Sequence, residues 1–172
     1  MTRAELEARF DALLDALGPS LARLAASYAR GGSERDDLFQ EIALAIWRAL
    51  PGFRGECSER TFAFRIAHNR GISYLARRRA PAADVDEEIE IPDSRPNPEQ
   101  VLSADEESKR LARAVQRLPV AYRQVVTLAL EGLSYSEIAD VLGITDSNVG
   151  ARLTRARHMM RELLRNRNVT RS

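Results

Sequence analysis

Lysine and cysteine are almost missing from this chain of 172 residues. Lys109 is the only lysine beside abundant arginine, and Cys57 is the only cysteine. One cysteine excludes an internal disulfide and a thiolate zinc cluster. The arginine bias fits a GC-rich genome as well as a function. No apolar run reaches the roughly 20 residues of a membrane span, and no leader-like segment opens the chain. The expectation is a soluble, cytoplasmic protein with no membrane insertion. No internal repeat or strand-like alternation is present. Paired carboxylates, a glycine-rich phosphate loop and a nucleophile–base set are also missing, which argues against an enzyme. No cofactor or metal is expected. The length suits one domain or two small ones.

What is present is charge, unevenly placed. The net charge of +1 is close to neutral, but it hides a pattern. Arg60, Arg65, Arg70, Arg77, Arg78 and Arg79 fall in one stretch, with no acid after Arg60. Asp84, Asp86, Glu87, Glu88 and Glu90 follow with no base among them. From Ser147 onward seven arginines stand against Glu162 alone. Two basic blocks thus flank an acidic segment.

The most legible stretch is Leu133–Arg161. Ser134 and Glu137 have the spacing of a capping box. Ile138, Ala139, Val141 and Leu142 give one apolar face, and Gly143 can stop the helix. Thr145 or Asp146 can cap a second helix that buries Val149, Leu153, Ala156 and Met160. Arg152, Arg155, Arg157 and Arg161 stay polar. Ala139 is small enough for two helices to cross steeply. The pattern predicts a helix-turn-helix whose second helix enters a DNA major groove; the competing reading is an ordinary helix pair in an all-α core.

The rest of the chain also reads as helices. Leu6, Phe10, Leu13, Leu14 and Leu17 repeat at helical spacing, and Gly18-Pro19 is expected to end that helix. A second would run through Leu21, Leu24, Ala25 and Tyr28 to Gly31-Gly32. Ser33, with Asp36, resembles the cap of a central helix bearing Leu38, Phe39, Ile42, Ala43, Ile46, Trp47 and Leu50, stopped by Pro51-Gly52. After the polar loop 53–60, Ser58 can cap a helix over 61–79, with Phe62, Ile66, Ile72 and Leu75 inward. Pro81 to Pro98 is acidic, proline-bearing and poor in apolar residues, so it reads as a linker. Extended, it reaches roughly 60 Å at about 3.3 Å per residue. Asn97, Pro98 and Gln100 suit a helix start. Val101, Leu102, Leu111, Val115 and Leu118 would face inward. Pro119 opens a helix through Tyr122, Val125, Val126, Leu128, Ala129 and Leu130. The expected fold is all-α. Two small helical domains, 1–80 and 98–172, are joined by a linker at 81–97. The second is a four-helix unit ending near Asn166, and the tail 167–172 frays.

Residues 34–41, ERDDLFQE, resemble the D-x-x-D-L-x-Q-E signature of bacterial RNA polymerase sigma factors. Trp47, Phe53-Arg54-Gly55, the helix TFAFRIAHNRGISYLARRR and the C-terminal LSYSEIADVLGIT…V…RLTRAR fit the same family. In this order they resemble the extracytoplasmic function, or group 4, sigma factors over roughly 22–164. By residue type alone, Asp37, Gln40 and Glu41 read as a solvated helix face. The resemblance makes them the surface for the β′ clamp helices of core RNA polymerase, with the second domain on the β flap. It also implies that Phe53, Arg54 and Arg60 hold an extruded base of the −10 element. Arg65, Asn69, Arg70 and Ser73 would contact the melted strand, and Arg77, Arg78 and Arg79 its phosphates. Ser147, Asn148, Arg152 and Arg155 would read the −35 duplex. The acidic linker would thread near the RNA path, and an anti-sigma factor would hold the protein inactive.

The chain departs from the family where Phe62 replaces a frequent tryptophan and His68 a frequent basic residue. Gly150 and Ala151 replace a common lysine and serine. A glycine inside a helix costs about 1 kcal/mol relative to alanine; either the backbone approaches DNA closely there or −35 binding is weakened. Cys57 reads as a passive loop residue, His158 as a polar-face residue, and His68 as a surface or DNA-side residue. Two other functions remain open to the sequence. One is a stand-alone helix-turn-helix regulator, which leaves the acidic face and the arginine helix without a role. The other is an adaptor that keeps the domains but only binds a partner protein.

Overall fold

The computed structural model describes residues 1–79 and 104–169. Every regular element among them is helical, as the patterning predicts. The order is α1 (Arg3–Tyr28), α2 (Gly32–Ala49), a 3-10 turn (Leu50–Gly52), α3 (Glu59–Arg79), α4 (Ala104–Gln116), α5 (Val120–Leu130), α6 (Tyr135–Leu142) and α7 (Asp146–Val169). The expected linker 81–97, the Asn97–Pro98–Gln100 helix start and the inward Val101 and Leu102 lie outside the described residues. The frayed tail is corrected in part, since α7 continues to Val169.

α1 begins at a capping box, with Thr2 accepting from the Glu5 amide and the Glu5 carboxylate accepting from the Thr2 amide. Gly18-Pro19, expected to separate two helices, sits inside this single one. A mid-helix proline costs about 3 kcal/mol. Burying one leucine stabilises by about 1.5–3 kcal/mol, and Leu13, Leu21 and Leu24 are all buried on this helix. Pro19 and Asp15, whose carbonyl loses its helical donor, are both exposed, so water can replace the missing bond.

The Gly31-Gly32 pair also differs from expectation. α1 ends at Tyr28, and Gly31 is the N-cap of α2, with no side-chain capping bond. Ser33 lies inside α2 and caps nothing. The Arg35 guanidinium instead donates to the Ala29 carbonyl at 3.1 Å, tying the turn together. α2 then buries Leu38, Ile42 and Ile46 as its spacing predicts.

α3 starts where expected, with the Ser58 hydroxyl accepting from the Thr61 amide at 3.0 Å. Its inward face is different. Thr61, Ala63, Phe64, Ala67 and Gly71 are buried, whereas Ile72 is exposed and Phe62, Ile66 and Leu75 are half-buried. Small residues at 63, 67 and 71 recur every fourth position and share one stripe. They let α3 approach α1 closely, so the deepest face combines Phe64 with these small residues and not with the predicted Phe62, Ile66, Ile72 and Leu75.

In the second unit α5 is central, packing against α1, α4, α6 and α7. That position buries Arg123, Gln124 and Thr127 along with Val125, Val126 and Leu128. Val115 and Leu118 are buried as expected, but Leu111 and Leu130 are exposed. One side of each helix faces solvent, and these two leucines lie there.

The two units are docked. α1 contacts α5, and α3 contacts α6. Arg123, from the heart of α5, donates to the Ser27 carbonyl at the end of α1 at 2.7 Å and to its neighbour Leu118 at 3.0 Å. The Gln116 amide donates to the Ala26 carbonyl. Carbonyls in the last turn of α1, which have no helical donor, thus find partners on the second unit.

Candidate nucleic-acid interface

On α2, the burial of Leu38, Ile42 and Ile46 turns the opposite side outward. Asp37 and Gln40 are exposed there, beside an exposed Leu44. Glu41 is half-buried and pairs with Arg77 of α3 at 2.8 Å. Arg78 donates to Glu34 at 2.6 Å and lies over the Tyr74 ring. The Tyr74 hydroxyl donates to the same carboxylate at 2.7 Å. That hydrogen bond and the Arg78 charge hold Glu34 below the usual carboxylate range. Two of the expected phosphate ligands are therefore engaged with α2.

The loop before α3 is held by aromatic packing. Phe53 meets Phe62 with ring centroids 4.4 Å apart, and Arg9 covers the Phe53 ring at 5.3 Å. Arg9 is fixed in turn by Glu59 at 2.6 Å. Gly55, at φ 76, makes the turn a side chain would resist. Arg54 is exposed, and Cys57 is half-buried and free. Arg60 is half-buried and donates to the Glu131 carbonyl at 2.5 Å. Arg65 lies 3.4 Å from the Asp140 carbonyl. Asn69, Arg70 and Ser73 are exposed along α3. His68 is not a surface residue. It is half-buried with Nδ1 2.9 Å from the Tyr28 hydroxyl, and burial pushes its pKa down.

The second site is the helix-turn-helix itself. The Ser134–Glu137 capping box is present, and Gly143 adopts the left-handed C-cap at φ 68. Thr145 caps α7 by accepting from the Asn148 amide at 3.1 Å. Val149, Leu153 and Ala156 are buried, while Ser147, Asn148 and Arg155 are exposed. The Arg152 Nε donates to Asn148 Oδ1 at 3.0 Å, which sets both side chains before any DNA arrives. Together with Tyr122 and Ala121 of α5 they line a hollow of about 570 Å³. Nothing in the local pattern of α5 announces that contribution, because it depends on how α5 crosses α7. Gly150 is flanked by the Tyr135 ring, 3.4 Å from where a Cβ would lie. Among the described residues no cluster of three His, Cys, Asp or Glu side chains could hold a metal. No described helix is long and apolar enough to cross a membrane.

The "Sigma-70 region 2" profile matches residues 13–80, and the "Sigma-70, region 4" profile matches 108–160. The chain is 35% identical over 147 residues to the ECF RNA polymerase sigma-E factor of Escherichia coli K12, covering 80% of this chain and 76% of that one. The chain belongs to the extracytoplasmic function sigma factors. It is also 31% identical over 166 residues to the sigma factor NccH of Alcaligenes xylosoxydans, covering 93% of this chain and 89% of that one. Among solved structures it resembles CnrH in complex with the cytosolic domain of CnrY, with TM-score 0.68, 28% identity and coverage of 93% and 90%. The fold also resembles the sigma factor RpoE of Bartonella quintana in complex with the anti-sigma factor NepR, with TM-score 0.74, 23% identity and coverage of 91% and 97%.

As sigma factors, these proteins are non-enzymatic initiation factors that bind RNA polymerase and promoter DNA. The surfaces expected for those tasks differ in how ready they are. The α7 residues lie together on one open face. The α3 residues are divided: Asn69, Arg70 and Ser73 are open, whereas Arg60, Arg65, Arg77 and Arg78 already have partners.

Proposed function

We propose that residues 1–80 form the unit that binds core polymerase and the −10 element. In this reading 81–97 is the spacer and 98–172 the −35 reader, which also contacts the β flap. The protein works in the cytoplasm and performs no bond-making chemistry. One observation carries the reading: region 2 and region 4 matches fall in order along the chain, at 13–80 and 108–160. Asp37, Gln40 and Glu41 suit a basic coiled-coil partner such as the β′ clamp helices, where charge complementarity sets approach and register. Phe53, Arg54 and Arg60 flank the pocket for an extruded base. Arg65, Asn69, Arg70 and Ser73 track the melted strand, and Arg77 and Arg78 move from Glu41 and Glu34 to its phosphates. Ser147, Asn148, Arg152 and Arg155 dock in the −35 major groove, where asparagine suits adenine and arginine suits guanine or phosphate.

Control by an anti-sigma factor belongs to the same proposal. It is supported by the likeness to CnrH, which was solved with the cytosolic domain of CnrY. The test is transcription from a supercoiled library of upstream regions by core polymerase with this protein added. Promoter-specific transcripts and core binding are expected, and binding is expected to fail when Asp37, Gln40 and Glu41 are all changed to alanine. Absence of both transcripts and core binding with the unmodified chain removes the reading.

A further inference from the structure

We propose that Arg9 is a positioning residue for −10 recognition, a brace that fixes the opening of the loop between the 3-10 turn and α3. The inference rests on the base-holding role proposed above for Phe53 and Arg54. The loop has little buried surface of its own. Arg54, Gly55, Glu56, Ser58 and Glu59 are exposed, and Phe53 and Cys57 are half-buried. Such a segment takes its shape from whatever holds its two ends. Arg9 meets both. Its guanidinium lies over the Phe53 ring, 5.3 Å from the centroid. Its Nε donates to Glu59 Oε1 at 2.7 Å, and its Nη2 lies 2.6 Å from the same oxygen. Glu59 opens α3, where the helix dipole favours a carboxylate.

Arg9 is itself held in place. The next residue, Phe10, packs edge-on against Trp47 of α2, with ring centroids 5.2 Å apart and planes at 80°. Leu13, one turn on, is buried. The Phe53 ring is gripped from α3 as well, by Phe62 at 4.4 Å. The backbone is pinned at the same points. The Phe53 amide donates to the Leu50 carbonyl at 3.1 Å, and Ser58 caps α3. Residues 54–57 are left to shape the pocket. An extruded base is chosen by hydrogen bonds and stacking in such a pocket, and that choice needs the pocket atoms held to within about 0.5 Å. A loop with loose ends still offers Arg54 to a phosphate but loses its preference for one base. Arg9 therefore governs selectivity more than affinity. It lies ahead of 13–80, the stretch that the region 2 profile matches.

The test uses holoenzyme, core polymerase with the full chain, and forked duplexes carrying a −10 sequence recovered from the transcription assay above. Each −10 position takes each of the four bases in turn, and fluorescence anisotropy gives the affinity. The position read by the loop is the one where Arg54→Ala has its largest effect. Arg9→Ala is expected to reduce the ratio of best to worst base there by about two- to fivefold, the size of one guanidinium–ring contact. Ratios at other positions, core binding and −35 duplex affinity stay as in the unmodified chain. Arg9→Lys restores most of the ratio, because an ammonium can still pair with Glu59 and sit over the ring. Glu59→Gln, which leaves α1 intact, reproduces part of the loss and carries the comparison if Arg9→Ala unfolds by circular dichroism. An equal loss for all four bases would make Arg9 a plain phosphate contact, and an unchanged ratio would make its contacts passive; either overturns the proposal. The parent reading fails separately. No base preference at any position in the unmodified holoenzyme removes the −10 role of the loop, and Arg9 with it. A preference that Arg9→Ala leaves intact removes the Arg9 role alone.

Discussion

The ring of Tyr28 occupies the space where Gly71 would carry a Cβ: the missing atom would lie 2.5 Å from Cδ2 and Cε2 of that ring. Tyr28 is buried, and its hydroxyl is tied to His68, so the ring has nowhere to move. Gly71→Ala is therefore expected to destabilise by about 1–3 kcal/mol, as overpacking does, despite the better helix propensity of alanine. Thermal unfolding checks it, with Gly150→Ala as the control. Gly150 is also inside a helix, but its notional Cβ meets only the Tyr135 ring, at an ordinary 3.4 Å. The control should raise the midpoint and Gly71→Ala lower it. A rise in both would mean that the α1–α3 approach is looser than described.

That contact marks the limit of reading this fold from its pattern. Spacing located α2, α7 and the Ser134–Glu137 cap, because each depends on residues within about a turn of one another. It misjudged the face of α3, where what matters is the small size of Ala63, Ala67 and Gly71, the last of them opposite Tyr28, over forty positions away. It also divided α1 at Pro19, because a local rule about proline carries no information on three leucines buried on the opposite side. The exposed polar face of α7 was legible from α7 alone. The engagement of Arg60 and Arg65 was not, since their acceptors are backbone carbonyls, which look alike in every sequence.

A buried hydroxyl on α5 offers a second test. Thr127 Oγ1 is enclosed without a hydrogen-bond partner. Leaving a buried hydroxyl unsatisfied costs about 1–3 kcal/mol, and valine has nearly the same shape without that group. Thr127→Val is expected to stabilise the chain by about 1 kcal/mol, read from the denaturant midpoint with an unchanged slope. A lower midpoint would indicate an unseen partner for the hydroxyl.

The environment of His68 predicts a pH dependence. Burial holds its imidazole below the ordinary histidine pKa. The unfolded chain therefore takes up this proton at a higher pH than the native chain does. The stability linked to His68 is complete above the unfolded value of about 6.5 and is lost as pH falls toward the depressed native one. Unfolding free energy measured from about pH 7.5 down to about pH 5.5 should fall more steeply in the wild type than in His68→Gln. Parallel curves would assign the acid sensitivity to other groups.

Gly150 is the last departure to be tested, and its surroundings favour one of the two readings open to the sequence. Its notional Cβ points at the Tyr135 ring across a 3.4 Å gap, an ordinary contact. Asn148, Arg152 and Arg155 instead line the hollow bordered by Tyr122 of α5. Gly150→Ala should therefore gain about 0.5–1 kcal/mol of helix stability and leave −35 duplex affinity within about twofold. Arg152→Ala should leave the helix in place and weaken the duplex by about 1–3 kcal/mol if it reads a base edge. Fluorescence anisotropy on one −35 duplex, recovered from the transcription assay above, compares the two variants. A large loss in Gly150→Ala would mean that DNA backbone passes close to α7 at this position. Unchanged affinity in Arg152→Ala would move the readout toward Asn148 and Arg155.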